Sequence, residues 1–143
     1  MLDQLPYCVA VKPVSLLIQS EMVSEEDVRL LAAAIRAAGK WTKPIPIDRQ
    51  TGIVMDGNHR LKVAGLLGLN FLPCVPLDYQ DPRVFVSHWR SGSPFSLESI
   101  GRRILQERVL FPYKTTRHSF APALPRTEIP LTLLAGGSCA TWT

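Results

Sequence analysis

Apolar residues recur at helical spacing in three segments of the chain. The clearest predicted helix covers 25–38, where Ser24 precedes the first turn as an N-cap and Gly39 follows the last turn as a natural stop. The same spacing predicts helices over about 58–67 and 97–108. We therefore expect about three helices.

Short β-branched and apolar runs lie between these helices. The stretch "YCVAVKPVSLLI" predicts a first strand, 45–48 and 53–56 predict two strands joined by a tight turn, and 84–89 predicts another. The stretch "FLPCVPLDY" is a further strand candidate, and its residues Pro73 and Pro76 favour an edge position. Helices and strands in this order predict an α/β fold with a small mixed sheet.

The length of the chain favours one domain. It has 143 residues, of which 46% are hydrophobic and 20% charged. We expect a folded domain over 1–119 and an irregular tail over 120–143, because the tail contains several prolines and lacks periodicity. No apolar run approaches the roughly 20 residues of a membrane span, and no secretory signal opens the sequence, so we expect a cytoplasmic protein.

Charge and cysteine content narrow the chemistry only slightly. The net charge of +4 is compatible with a phosphate-bearing ligand and does not demand nucleic acid. Cys8, Cys74 and Cys139 share no C-x-x-C spacing, which argues against a disulfide framework and a zinc knuckle. We expect reduced, mostly buried thiols.

The stretch "IVMDGNHRLKVAGLLG" concentrates five residues at one strand-to-helix corner, namely Asp56, Gly57, Asn58, His59 and Arg60. Free N–H groups at a helix N-terminus suit an anion such as phosphate, and His59 and Arg60 would add donors. Asp56 would repel phosphates unless a metal ion lies between them or the carboxylate accepts a proton. Alternatively, Asp56 caps the helix and the two basic side chains are solvated.

Two other places carry polar residues that suit an anionic substrate. The loop "KTTRH", Lys114–His118, offers cations, hydroxyls and an imidazole, although a solvated basic loop explains it equally well. Glu21 precedes the first helix and Trp89 closes a strand; the simple interpretations are a favourable helix-dipole interaction and core packing. His88 and His118 lack the spacing of a zinc site.

Taken in order, "IVMDGNHRLKVAGLLG", "LPCVPLDY", "VFVSHW" and "LFPYKTTRH" resemble the ParB/sulfiredoxin-like superfamily, specifically its free L-serine kinase branch. The resemblance extends from about residue 9 to residue 120. It implies a kinase that transfers a phosphoryl group from ATP or ADP, with Mg²⁺, to the hydroxyl of free L-serine. The product would be O-phospho-L-serine, and nucleic acid is not an expected partner.

The resemblance also implies roles for individual residues. Glu21 matches the catalytic base toward the serine hydroxyl, and Asp56 matches the aspartate near the transferred phosphate and Mg²⁺. Trp89 matches the tryptophan that helps to hold the amino acid. The nucleotide-phosphate corner is matched by Gly57, Asn58, His59 and Arg60. The loop that gathers substrate carboxylate and phosphate is matched by Lys114, Thr115, Thr116, Arg117 and His118.

Two other functions of the same superfamily remain as alternatives. A ParB-like, nucleotide-binding, DNA-associated regulator normally carries a helix-turn-helix module, and 109–143 shows no pair of amphipathic helices. A sulfiredoxin-like reductase needs a cysteine at the phosphate corner, where this chain has Asn58, and Cys74 lies in an apolar strand. The sequence does not determine the oligomeric state.

Overall fold

The first three helices of the computed structural model, which describes residues 7–136, lie close to the predicted positions. Ser24 Oγ accepts the Asp27 N–H at 3.3 Å at the start of the first helix, and Gly39 ends that helix with a φ of 72°. Along the chain the helices are α1 Glu25–Ala38, α2 Asn58–Leu66, α3 Leu97–Gly101 with a π-helical continuation Arg102–Gln106, and α4 Leu131–Leu134.

The strands form one three-stranded sheet and two pairs. In chain order they are β1 Ala10–Pro13, β2 Lys40–Trp41, β3 Ile45–Asp48, β4 Phe71–Leu77, β5 Val84–His88, β6 Thr116–Phe120 and β7 Ile129–Pro130. The main sheet has the order β1-β4-β3, with β1 antiparallel and β3 parallel to β4. β2 pairs with β7, and β5 pairs with β6. This is the small mixed α/β fold that the sequence predicts.

The position of β4 differs from the prediction, because this strand lies at the centre of the sheet and not at its edge. Successive N–H groups of a strand point to alternate sides. Pro73 and Pro76 are three residues apart, so their missing donors face different neighbours and each ladder loses only one bond. A central strand tolerates that loss because its side chains are almost completely buried.

The predicted strand over 53–56 is wrong as well. Ile53 and Val54 each form only an isolated bridge, to Ile18 and Ile47 respectively. The segment divides its hydrogen bonds between two neighbours and therefore forms no ladder with either of them. Asp56 consequently lies in a bend before α2, and not at the end of a strand.

The main core lies between the sheet and the pair α1 and α2. Trp41, Ile45 and Leu72 are at most 1% exposed within it. Leu134 of α4 is also completely buried there, so the prediction of an irregular tail is wrong for 129–134. A strand of two residues and a helix of four are too short to show periodicity, and only packing reveals them.

A second core cluster supports the other side of the molecule. Ile53, Val86, Ile100, Ile104 and Phe111 pack together beneath β5 and α3. Phe111 also forms an isolated β-bridge with Glu21. Its N–H donates to Ser20 O at 3.0 Å, and its carbonyl accepts the Met22 N–H at 2.8 Å. The cluster thereby fixes the chain on both sides of the candidate site.

The cysteines only partly match the expectation of buried thiols. Cys8 is exposed, Cys74 is buried, and Cys139 lies outside the described residues. Burial raises the pKa of the Cys74 thiol to about 12, which makes it a poor nucleophile. No helix between residues 7 and 136 combines the length and the apolar composition needed to cross a membrane.

Candidate functional site

One cleft of about 570 Å³ brings the predicted site residues together. It lies between the start of α2, the segment around Glu21 and the chain from 113 to 119. Every predicted site residue except Thr115 lines it. Residues that the sequence places almost sixty positions apart therefore share one cavity.

Glu21 joins the two sides of this cleft. Its Oε1 accepts the Lys114 N–H at 2.9 Å, and its Oε2 accepts the N–H groups of Thr115 at 3.3 Å and Thr116 at 3.2 Å. The Thr116 hydroxyl donates to Oε2 as well, at 3.3 Å. Lys114 adopts a left-handed φ of 60°, which turns these consecutive N–H groups toward one point.

The first turn of α2 holds the segment that carries Glu21. Asn58 Oδ1 accepts the Ser20 N–H at 2.8 Å, and Asn58 Nδ2 donates to Ser20 Oγ at 3.2 Å. His59 Nε2 accepts the Ser24 N–H at 3.1 Å, so a neutral His59 ring carries its proton on Nδ1. These atoms are engaged by the protein itself, and they position Glu21.

Ser20 is a residue that the sequence analysis missed. It is only 7% exposed, and its hydroxyl donates to the Val54 carbonyl at 2.7 Å. A single serine beside a glutamate gives no signal of this role in the sequence. Its importance follows from contacts with residues more than thirty positions away.

Gly57 and Arg60 shape the end of the cleft at the start of α2. Gly57 is the N-cap of α2 with a φ of 102°, and a Cβ there would lie 3.0 Å from Arg60 Nη2. The Arg60 guanidinium donates to the Lys43 carbonyl at 2.7 Å. Burial lowers the pKa of Arg60, and nearby Asp56 opposes that shift. A partly desolvated cation beside free helix N–H groups makes this corner suitable for an anion.

Trp89 anchors the loop from the other side. The Arg117 guanidinium carbon lies 4.1 Å from the Trp89 ring centroid, and Lys114 Nζ lies 5.5 Å from it. The backbone N–H of Trp89 donates to the Thr115 carbonyl at 2.9 Å. The ring is therefore in contact with cations of the loop.

His118 is held by Tyr79, which the sequence analysis also missed. Tyr79 Oη lies 3.1 Å from His118 Nε2, while His118 Nδ1 is buried and has no hydrogen-bond partner. Burial lowers the pKa of His118 to about 4, so the imidazole is neutral near pH 7. Burial also raises the pKa of Tyr79, which keeps its hydroxyl protonated.

The donor set limits how a metal ion could be held. Between residues 7 and 136 no group of three or more His, Cys, Asp or Glu side chains converges. Both Glu21 oxygens accept hydrogen bonds from the loop, whereas Asp56 is exposed at the corner. Mg²⁺ is often bound by one carboxylate together with substrate phosphates. Asp56 fits that arrangement as a single protein ligand.

A second cleft, of about 850 Å³, lies beside α1 and α2 and the segment 14–23. It is lined mainly by apolar side chains such as Val14, Leu17 and Leu66, and by none of the predicted site residues. Met22 lines both clefts. Its charged residues, Glu25, Arg29 and Lys62, lie along the two helices, whereas the smaller cleft gathers polar groups from three separate segments of the chain. The smaller cleft is therefore the candidate site.

No family model and no curated protein matches the sequence. Solved structures do match the fold. A mutant free serine kinase in complex with AMP has a TM-score of 0.78 and 12% identity, with 92% of this chain and 97% of that chain covered. SbnI with a C-terminal truncation, from Staphylococcus aureus, has a TM-score of 0.74 and 13% identity, with 93% and 91% covered.

A third structure is a conserved hypothetical protein from Pyrococcus furiosus, with a TM-score of 0.69 and 14% identity, covering 91% of this chain and 100% of that chain. Sequence identity at this level is too low to carry an activity over, but the coverage extends to nearly the whole of each chain. The protein therefore has the fold of the free serine kinases and SbnI, as its sequence resemblance predicts.

Proposed function

We propose that the protein is a nucleotide-dependent kinase that phosphorylates the hydroxyl of free L-serine to give O-phospho-L-serine. One observation carries this proposal: Glu21, the start of α2 and the loop 114–118 converge on a single cleft. The free serine kinase structures that share the fold are complexes with AMP or ADP. That likeness supports nucleotide use in the cleft.

The start of α2 is the proposed binding site for the nucleotide phosphates. Its free N–H groups and the Arg60 guanidinium supply positive potential, and Gly57 leaves room for that guanidinium beside the start of the helix. Asp56 would hold Mg²⁺ together with the phosphates; the ion, when bound, neutralises charge on the phosphate oxygens. Asn58 and His59 act there as positioning residues, because their engaged atoms hold the Glu21 segment.

The loop 114–118 and Trp89 form the proposed binding site for the amino acid. Serine has no charged side chain, so its ammonium and carboxylate groups must provide recognition. Lys114 and Arg117 suit the carboxylate, and the Trp89 ring suits the ammonium group. Thr115, Thr116 and His118 shape this loop, with His118 fixed by Tyr79.

Glu21 is the proposed catalytic base. It takes the proton from the serine hydroxyl as the oxygen forms a bond to the terminal phosphorus of ATP or ADP. The bond between that phosphorus and the bridging oxygen breaks at the same time. The nucleotide leaves with one phosphate fewer, and the serine oxygen keeps the phosphoryl group.

The direct test is to incubate the purified protein with Mg²⁺, L-serine and either ATP or ADP, and to measure O-phosphoserine by mass spectrometry. Glu21→Ala should lower the rate by at least about 100-fold, since general-base catalysis contributes roughly 10²–10⁴-fold. The matched control is Glu26→Ala, an exposed glutamate of α1, which should keep the wild-type rate.

Absence of product with both donors would refute the kinase, and an undiminished rate in Glu21→Ala would refute the base. Salt-dependent binding of duplex DNA without product would instead favour the nucleotide-binding regulator. Between residues 109 and 136 the only helix is α4, which has four residues, so that part of the chain contains no helix-turn-helix module.

A further inference from the structure

Tyr113 contacts both halves of the candidate cleft. It lines the cleft, although it is not among the residues that the sequence analysis singles out. Its ring lies nearly perpendicular to the ring of His59 at the start of α2, with the centroids 5.6 Å apart and the planes at 69°. On the side of the loop, Lys114 Nζ lies 5.3 Å from the Tyr113 ring centroid. The ring of Tyr113 therefore connects a corner residue with a loop residue.

The ammonium group of Lys114 is in contact with two aromatic rings. Its Nζ lies 5.3 Å from the centroid of Tyr113 and 5.5 Å from that of Trp89. Both distances are within the roughly 6 Å at which the face of a ring attracts a cation. Trp89 also receives the guanidinium group of Arg117, at 4.1 Å. Trp89 therefore serves two cations, and Tyr113 supplies a second contact to Lys114.

The Tyr113 ring is held by a fixed neighbour. His59 Nε2 accepts the Ser24 N–H at 3.1 Å, and this bond sets the orientation of the imidazole against which Tyr113 packs. Tyr113 itself is 44% exposed, so its ring contributes only part of its area to packing. A flexible lysine side chain loses much of its rotamer freedom when two rings hold its end. Contacts thus lead from the first turn of α2 through Tyr113 to the end of Lys114.

We infer that Tyr113 is a positioning residue: with Trp89 it holds the ammonium group of Lys114 in the cleft, so that this cation is in place before an anionic ligand arrives. The inference rests on the proposed function for the identity of the ligand, L-serine. The position of the cation is independent of that function. Pre-ordering the lysine lowers the entropic cost of binding, and that gain is the contribution of Tyr113 to affinity.

The first test measures the position of Lys114 without any ligand. Aromatic rings shift the NMR signals of hydrogens near their faces, so the ε-methylene signal of Lys114 should differ from that of Lys62, an exposed lysine of α2. In Tyr113→Leu this difference should shrink, because one of the two rings is gone. In Tyr113→Phe it should persist, because the contacts of Tyr113 are made by the ring.

The second test measures the affinity for L-serine by calorimetry in the absence of nucleotide. Tyr113→Leu should bind L-serine about 3- to 10-fold more weakly than the wild type, since the substitution removes one cation–π contact and releases the lysine. Tyr113→Phe should stay within about twofold of the wild type. The matched control is Phe85→Leu, which removes an exposed ring of β5 outside the cleft and should also stay within about twofold.

A double-mutant cycle with Lys114→Met distinguishes positioning from direct contact. If Tyr113 acts through Lys114, Tyr113→Leu should change L-serine affinity by less than about twofold once the lysine is gone. Equal losses in the presence and absence of Lys114 would mean that Tyr113 contacts the ligand itself, and the positioning role would be wrong.

An unchanged Lys114 signal in Tyr113→Leu would overturn the inference, and so would unchanged affinity for L-serine. A loss in Tyr113→Phe as large as in Tyr113→Leu would also overturn it, because the hydroxyl and not the ring would then be responsible. If the wild type neither binds L-serine nor forms O-phosphoserine, the proposed function fails. The Lys114 signal and a titration with inorganic phosphate then decide whether Tyr113 places the cation.

Discussion

The two halves of the cleft use their polar groups in opposite ways. At the corner that begins α2, the side chains of Asn58, His59 and Arg60 bind the protein itself. In the loop, the backbone is bound by Glu21, while Lys114 and Arg117 lie over an aromatic ring. At the corner the side chains therefore belong to the folded framework, whereas the cationic side chains of the loop are exposed. Substitutions should separate these roles.

The largest effect is expected at Asn58. In Asn58→Leu the N–H groups of Ser20 and Glu21 lose their acceptor, and unsatisfied buried groups cost about 1–3 kcal/mol each. The free energy of unfolding should fall by about 4 kcal/mol in urea titrations. Asn70→Leu is the control, because Asn70 is exposed and bonds carbonyls near the end of the described chain; it should cost less than about 1 kcal/mol.

Normal stability in Asn58→Leu, combined with lost nucleotide binding, would contradict the division between the halves. Asn58 would then be a ligand-binding residue, as the sequence resemblance implies. Nucleotide affinity measured by calorimetry on the same samples distinguishes the two results.

A slightly smaller effect is expected from acid, because His118 anchors the end of the loop. Its pKa lies near 4 in the fold against 6.5 ordinarily, so between these values the unfolded chain binds the extra proton. The contribution of the neutral imidazole to the free energy of unfolding is fully present above pH 6.5. It falls by about 3 kcal/mol as the pH drops to 4, because each unit of pKa difference corresponds to about 1.36 kcal/mol. Urea titrations at pH 7, 5 and 4 measure this loss.

His118→Phe should lack this component of the pH dependence, because it has no titrating ring. His88→Gln removes an exposed histidine and should retain the wild-type dependence. If wild type and His118→Phe lose stability in parallel, the buried imidazole does not control acid sensitivity. The contact between His118 and Tyr79 would then not hold this end of the loop in place.

At Gly57 the effect is intermediate. Gly57→Ala adds a left-handed strain of about 1 kcal/mol and places a Cβ against the Arg60 guanidinium, for a total of about 2 kcal/mol. Gly68→Ala is the matched control, since its φ is 69° and nothing lies within 4 Å of the added carbon. Gly68→Ala should lower the free energy of unfolding only by the left-handed strain of about 1 kcal/mol. Equal costs in urea titrations would mean that Arg60 yields freely and that the corner is not rigid.

The sequence predicted the first three helices well because helix caps and periodicity are local, and the residues it singled out lie around one cleft, whereas their roles stay predictions. Ser24 and Gly39 define α1 through capping, and the corner and loop residues share one cleft. The central position of β4 and the packing of Leu134 depend on partners far along the chain, which no local pattern contains. Residue types likewise did not reveal that Asn58 and His59 bind the chain, or that Ser20 and Tyr79 take part.

The smallest effect on stability is expected at the exposed Arg117 side chain of the loop. Arg117→Lys keeps the charge but loses the planar contact with Trp89, which should cost about 0.5 kcal/mol. Arg90→Lys, at an exposed arginine next to Trp89, should cost nothing measurable. Tryptophan fluorescence should change in the first variant only. A loss above about 2 kcal/mol in Arg117→Lys would place this side chain in the folded framework, because an exposed cation–π contact contributes only about 0.5–1 kcal/mol. The contrast between the two halves of the cleft would then disappear.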